Sequence, residues 1–139
     1  MSCGAIEADQ ATAVRHWSFD LHLLPSDGMT IFQKIIDREI PADIVFEDEF
    51  SVAFRDVNPQ APVHVLLVPR KPVPSLNELT AADADLCARL LQNVPKVASL
   101  LGLSGGYRTV INSGAHGGQT VFHLHIHILG GRPLAWPPG

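Results

Sequence analysis

The chain is short of cysteine, with only Cys3 and Cys87 in 139 residues. Two thiols make no disulfide framework, and there is no Cys-x-x-Cys pair to clip a metal. A reducing compartment fits this usage, and the cytoplasm is the expected location. Charge is also sparse, at 17% of residues, with a net charge of −4. Lacking a basic excess, the chain is not expected to bind nucleic acid, which needs a cationic surface. A single nucleotide is not excluded, because a few local groups can hold it. No apolar run approaches the length of a membrane span, so no membrane partner is expected. The N-terminus lacks a basic stretch followed by an apolar one, the pattern of a secretory signal. Its acids Glu7, Asp9, Asp20 and Asp27 argue against a transit peptide.

Hydrophobic residues are plentiful, at 46%. A chain of this length can bury the core of one domain without metal or disulfide staples. Residues 1–29 read differently from the rest. Four acids against the single base Arg15 give them −3 of the total −4, and their apolar residues keep no sustained period. They end in the turn-type cluster Pro25-Ser-Asp-Gly28, directly before Met29. They are expected to form an N-terminal extension, disordered or loosely packed, or to precede a start at Met29. The domain is expected over 30–139.

From Thr30 the pattern becomes regular. Thr30 is a good N-cap for a short helix carrying Ile31, Phe32, Ile35 and Ile36, stopped by Pro41. Ile44–Glu47 and Ser51–Arg55 read as strands around an Asp48-Glu49 turn, and Val63–Val68 as a third. Thr80 is placed to cap a helix from Ala81 to about Leu101. Leu86, Leu90, Leu91, Val94, Val97, Ala98 and Leu101 are assigned to its apolar face. Pro95 should kink or break it, and Gly102 should end it. Tyr107–Asn112 and Val121–Leu129 read as the last two strands. Two principal helices and five strands joined mostly by short links predict an α+β fold with a mainly antiparallel sheet.

The last strand carries the chemistry. In Val121-Phe-His-Leu-His-Ile-His-Ile-Leu129, histidines alternate with apolar residues. A strand has a side-chain period of two. His123, His125 and His127 are therefore expected on one face, about 7 Å apart. Phe122, Leu124, Ile126 and Ile128 are expected on the other, in the core. A row of imidazoles can bind a metal such as zinc. It can also act covalently, because a neutral imidazole nitrogen is nucleophilic near pH 7. Solvent-facing histidines are the plainer reading, and strict alternation argues against it. The preceding loop, Asn112-Ser-Gly-Ala-His-Gly-Gly-Gln-Thr120, lets backbone amides approach an anion and adds hydroxyl and amide groups. That combination suits phosphate chemistry better than a closed zinc site.

The segment His123-Leu-His125-Ile-His127-Ile128-Leu129 resembles the signature of the histidine-triad (HIT) superfamily, and the chain is most similar to its Hint, or histidine-triad nucleotide-binding, branch. The resemblance runs from Thr30-Ile-Phe-Gln-Lys-Ile-Ile-Asp-Arg-Glu-Ile-Pro41 through Phe54-Arg-Asp-Val-Asn-Pro-Gln-Ala-Pro-Val-His64 to the C-terminal Trp136-Pro-Pro-Gly139. It implies a HIT-like fold, a homodimer with a continuous sheet, and hydrolysis of purine nucleoside phosphoramidates without a metal or other cofactor. It further implies His125 as nucleophile, His127 beside the phosphate, and His123 and His64 supporting the nucleophile. Gly118, Gln119, Thr120 and Asn112 would contact phosphate and ribose, and Asp56 would hold the ribose hydroxyls. Phe54, Val57 and Ile40 would line the base pocket. Thr120 stands where many Hint proteins have serine, and Gln-Thr-Val also occurs in the branch that cleaves diadenosine polyphosphates. The alternatives are therefore a dinucleoside polyphosphate hydrolase, a nucleotide-binding regulatory dimer, or a zinc protein.

Overall fold

A computed structural model describes residues 29–139; the expected extension falls outside the described residues apart from Met29. Helix α1 (Ile31–Ile36) starts at Thr30, whose hydroxyl accepts the Gln33 backbone N–H. Strands β1 (Ile44–Glu47), β2 (Ser51–Arg55) and β3 (Val63–Pro69) follow, then helix α2 (Ala84–Leu100) and strands β4 (Tyr107–Val110) and β5 (Ile126–Gly130). The five strands form one antiparallel sheet in the order β1-β2-β3-β5-β4. Among the described residues no helix is long and apolar enough to cross a membrane.

Alternation along the strands builds two separate apolar layers. Val52 and Phe54 of β2, with Leu66 and Val68 of β3, pack against Ile31, Phe32, Ile35 and Ile36 of α1. The intervening Ala53, Val65 and Leu67 face the other way, with Ile126 and Ile128 of β5, against Leu90, Val94, Val97 and Ala98 of α2. Each fully buried aliphatic side chain contributes about 1.5–3 kcal/mol relative to an exposed one.

Two helix expectations are corrected. Thr80 opens a 3-10 turn (Ala81–Asp83) rather than α2 itself. The Asp83 carboxylate turns back to accept from Thr80 N–H and pairs with Lys71, so the α-helix begins three residues later than expected. Pro95 does not break α2, which runs through it. Proline leaves the carbonyl four residues earlier without its donor. Here that residue is Leu91, which is 60% exposed rather than part of the buried face, so water can reach the carbonyl.

Candidate active site

The final strand is shorter than its sequence pattern suggests. Its ladder with β3 runs from Val63 opposite Gly130 to Leu67 opposite Ile126. Continuing that register would place Leu124 against Pro69, which has no N–H to donate. The chain therefore leaves the ladder before Ile126. Leu124 N–H donates instead to the Val73 carbonyl at 2.7 Å, and the His123 ring meets the Pro69 carbonyl at 2.8 Å. Leu124, Ile126 and Ile128 are buried as expected, but Phe122 is 54% exposed, not in the core. The three histidines are thus not one solvent-facing row. His123 is buried beneath the site, and His125 and His127 line its cavity.

Hydrogen-bond partners fix where the protons sit. His123 Nε2 faces a carbonyl, so it carries the hydrogen, and its Nδ1 accepts from the Thr30 hydroxyl at 3.3 Å. His125 Nδ1 lies 2.7 Å from the carbonyl oxygen of His123, so it too must donate. In the neutral ring the lone pair is then on Nε2. The second chain has the opposite sense. The Gln60 backbone N–H donates to His64 Nδ1 at 3.0 Å, which puts the His64 proton on Nε2. That proton is donated to His127 Nδ1 at 2.9 Å, leaving His127 with Nε2–H. The neighbouring rings of His125 and His127, with centroids 5.0 Å apart, therefore offer one bare nitrogen and one N–H.

Burial keeps all four rings neutral at pH 7. Desolvation is the largest influence on His125 and outweighs the opposing pull of the His123 carbonyl, so its pKa lies below the ordinary 6.5. His127 is pushed down to about 4, first by burial and then by the neighbouring imidazoles. Burial lowers His123 and His64 as well, against the Pro69 carbonyl and the Asp56 carboxylate respectively. The donor atoms of Asp56, His64 and His127 lie within 4.8 Å of one another and could hold a metal ion. The hydrogen bond between the two imidazoles by itself accounts for their approach.

A cavity of about 440 Å³ opens beside these rings. One part is polar, with His125, His127, Thr120, Gly118, Asn112 and Asp56. The other is apolar, with Ile31, Phe32, Ile35, Phe54, Val57 and Pro41 among its lining. Gly118 has φ +90°, a conformation that strains any residue with a Cβ, and it sits against the Asn112 amide. Asp56 does two things. One carboxylate oxygen accepts the Asn58 N–H in a local turn, and the other lies 3.5 Å from His64 Nε2.

Four expected site residues lie off the cavity lining. Gln119 is 4% exposed and acts as a staple inside the glycine loop. Its carbonyl oxygen accepts from Gly114 N–H, and its NH₂ donates to the Pro74 and Val121 carbonyls. These bonds use its side chain to shape the loop instead of to meet a ligand. Ile40 is packed behind the wall with α1, and the next residues, Pro41 and Ala42, take its expected place. His64 and His123 stand behind the cavity, but not in the same role. His123 supports His125 through its carbonyl, whereas His64 holds His127. Sequence reasoning missed Phe32 as a site residue. Its ring meets His125 edge-on at 4.9 Å, yet in the sequence it is one more apolar residue of an amphipathic helix.

The HIT domain family model matches residues 37–134. The chain is 63% identical over 110 residues to an uncharacterized HIT-like protein of Synechococcus elongatus, covering 79% of this chain and 96% of that protein. It is 49% identical over 117 residues to the adenylylsulfatase HINT1 of Arabidopsis thaliana, covering 83% of this chain and 80% of the relative. Among solved structures, a HIT family hydrolase from Legionella pneumophila superposes with a TM-score of 0.77 at 46% identity, covering 80% of this chain and all of the other. The chain belongs to the HIT family.

Proposed function

We propose that this protein is a purine nucleoside phosphoramidase that releases a nucleoside monophosphate through a nucleotidyl-histidine intermediate on His125. The observation that carries this reading is the pair of opposed tautomers lining one cavity, a bare Nε2 on His125 beside an Nε2–H on His127. A nucleophile beside a hydrogen-bond donor suits displacement at phosphorus.

The apolar part of the cavity suits a purine, Asp56 suits the ribose hydroxyls, and Gly118, Asn112 and Thr120 suit the phosphate. His125 Nε2 forms a bond to the α-phosphorus as the phosphorus–nitrogen bond of the substrate breaks. The leaving amine takes a proton that solvent supplies through the Thr120 hydroxyl, while the neutral His127 ring, with no second proton to give, donates its Nε2–H as a hydrogen bond to the reacting group. The positive charge gained by the nucleotidylated ring is held at Nδ1–H by the His123 carbonyl. Water then attacks phosphorus and breaks its bond to His125, and the proton lost by water restores the one given to the amine. The HIT family hydrolase from Legionella supports hydrolysis as the overall reaction.

A second reading is favoured by the name of the Arabidopsis relative, an adenylylsulfatase. The same attack on an adenylyl sulfate would expel sulfate, which leaves without a proton. The two substrates make different demands on the Thr120 relay, because only the amine needs a proton. The test is AMP release in EDTA from adenosine 5′-phosphoramidate, adenylyl sulfate and a diadenosine polyphosphate at equal concentration. Fastest release from the phosphoramidate is expected. Preference for the sulfate would favour the second reading, and preference for the polyphosphate would reassign the enzyme. Binding of AMP with no turnover on any of them would point to a regulatory protein.

A homodimer belongs to the same proposal. Strand β4 lies at the sheet edge, where a second copy can pair. Leu91 and Leu100 on α2, Tyr107 on β4 and Trp136 in the tail are large apolar groups left exposed in the single chain.

A further inference from the structure

Resting on that reading, we infer that Thr30 is a positioning residue for the nucleophile, acting through His123. Its place in the sequence shows only a helix cap, and it does cap α1 by accepting from the Gln33 N–H at 3.2 Å. Its hydroxyl hydrogen has a second task 93 residues away, at Nδ1 of His123. The chain around His123 and His125 has left the β ladder, so the regular backbone bonds that align a strand are absent there. Side-chain anchors replace them. The His123 ring, 1% exposed, is tied at one nitrogen to the Pro69 carbonyl and at the other to Thr30. The same residue's carbonyl holds the proton on His125 Nδ1. The Thr30 hydroxyl thus completes the chain Gln33 N–H, Thr30 O–H, His123, His125.

Removing the hydroxyl leaves a buried acceptor on His123 without a donor, and the ring is then held by the Pro69 carbonyl alone and free to tilt about that one bond. The His123 carbonyl then loses its fixed position, and His125 loses the orientation that in-line attack requires. Thr30 also begins α1, which supplies Ile31, Phe32 and Ile35 to the cavity, so the same atom ties the apolar wall to the nucleophile.

Three variants separate positioning from capping. Thr30→Ser keeps both bonds. Thr30→Gly keeps most of the cap's stability but has no hydroxyl to donate to His123 Nδ1. Thr30→Val loses both. With adenosine 5′-phosphoramidate as substrate, the serine variant should stay within about threefold of wild type. The valine and glycine variants should each lose about ten- to a hundredfold in kcat with little change in KM. The glycine variant should lose this rate with only a small fall in melting temperature. Nitrogen NMR of the imidazoles supplies a readout independent of turnover. Wild type should show His123 protonated at Nε2 and His125 at Nδ1. In the valine and glycine variants the Pro69 carbonyl should still keep the His123 proton on Nε2, while the His123 Nδ1 resonance moves as its hydrogen bond is lost. Wild-type kcat in the glycine variant, or unchanged imidazole signals in both, would overturn the inference. Should wild type fail to cleave the phosphoramidate, the functional reading falls, and the NMR signals alone still decide the role of Thr30.

Discussion

His125→Ala is expected to lose on the order of 10⁴-fold or more in kcat on adenosine 5′-phosphoramidate, the scale seen when a covalent nucleophile is removed. Binding of AMP should change much less. The cavity, Asp56, Phe54 and the glycine loop do not depend on the imidazole, although Phe32 loses its edge-on partner. Initial rates, together with calorimetric titration of AMP into the variant, check both halves. Near-normal turnover would remove His125 from the chemistry, while loss of AMP binding in parallel with rate would make it a structural residue. The acid side of the wild-type profile belongs to the same argument. The nucleophile must be neutral, and burial lowers its pKa below 6.5. The neutral form is present above that lowered value and is lost as pH falls through it. The acid limb of kcat/KM should therefore have its midpoint below 6.5, because kcat/KM reports the free enzyme. A midpoint at or above 6.5 would contradict a buried, neutral attacking ring.

The largest stability effect is expected from Ile126→Ala, at about 2–5 kcal/mol. Ile126 is 1% exposed and lies between the two cavity-lining histidines in sequence. Its side chain belongs to the apolar layer under α2, where Leu67, Val94 and Val97 also lie. Truncation removes apolar surface from a packed layer and leaves a void that rigid neighbours on both sheet and helix fill only in part. Because β5 begins at Ile126, the void opens where the ladder starts and His125 leaves it. Urea unfolding followed by circular dichroism measures the loss. A cost under about 1 kcal/mol would mean that the strand register or the packing differs from that described.

Most of the architecture was legible because each element carried its own local signal. Ser51–Arg55 and the apolar run Val63–Val68 read as strands, and Thr30 marked the start of α1. The end of the final strand was not legible. Pro69 cuts the ladder from the opposite strand, and the histidine alternation continues past the point where pairing stops. Pattern alone therefore placed Phe122 in the core and His123 in a row with its neighbours. Pro95 was read as a kink or a break, and that the helix runs on through it depends on its exposed place on α2, which no local pattern encodes.

The site divides in the same way. His125, His127, Thr120, Gly118, Asn112, Asp56, Val57 and Phe54 line one cavity, drawn from segments that the resemblance had already brought together. Gln119 looked like another polar ligand of the glycine loop, and only the partners of its amide reveal that it braces the loop from within. The tautomers were legible only in part. A backbone carbonyl on His125 Nδ1 was foreseeable, but the Gln60 amide that sets His64, and through it His127, depends on the turn before β3.

The stereochemical course at phosphorus tests covalent attack by His125 most directly. Hydrolysis of a phosphoramidate made chiral at the α-phosphorus, in isotopically labelled water, fixes the configuration of the monophosphate by phosphorus NMR. Two in-line displacements, first by His125 and then by water, predict net retention. Net inversion would mean a single direct attack by water and would contradict the nucleotidyl-histidine intermediate.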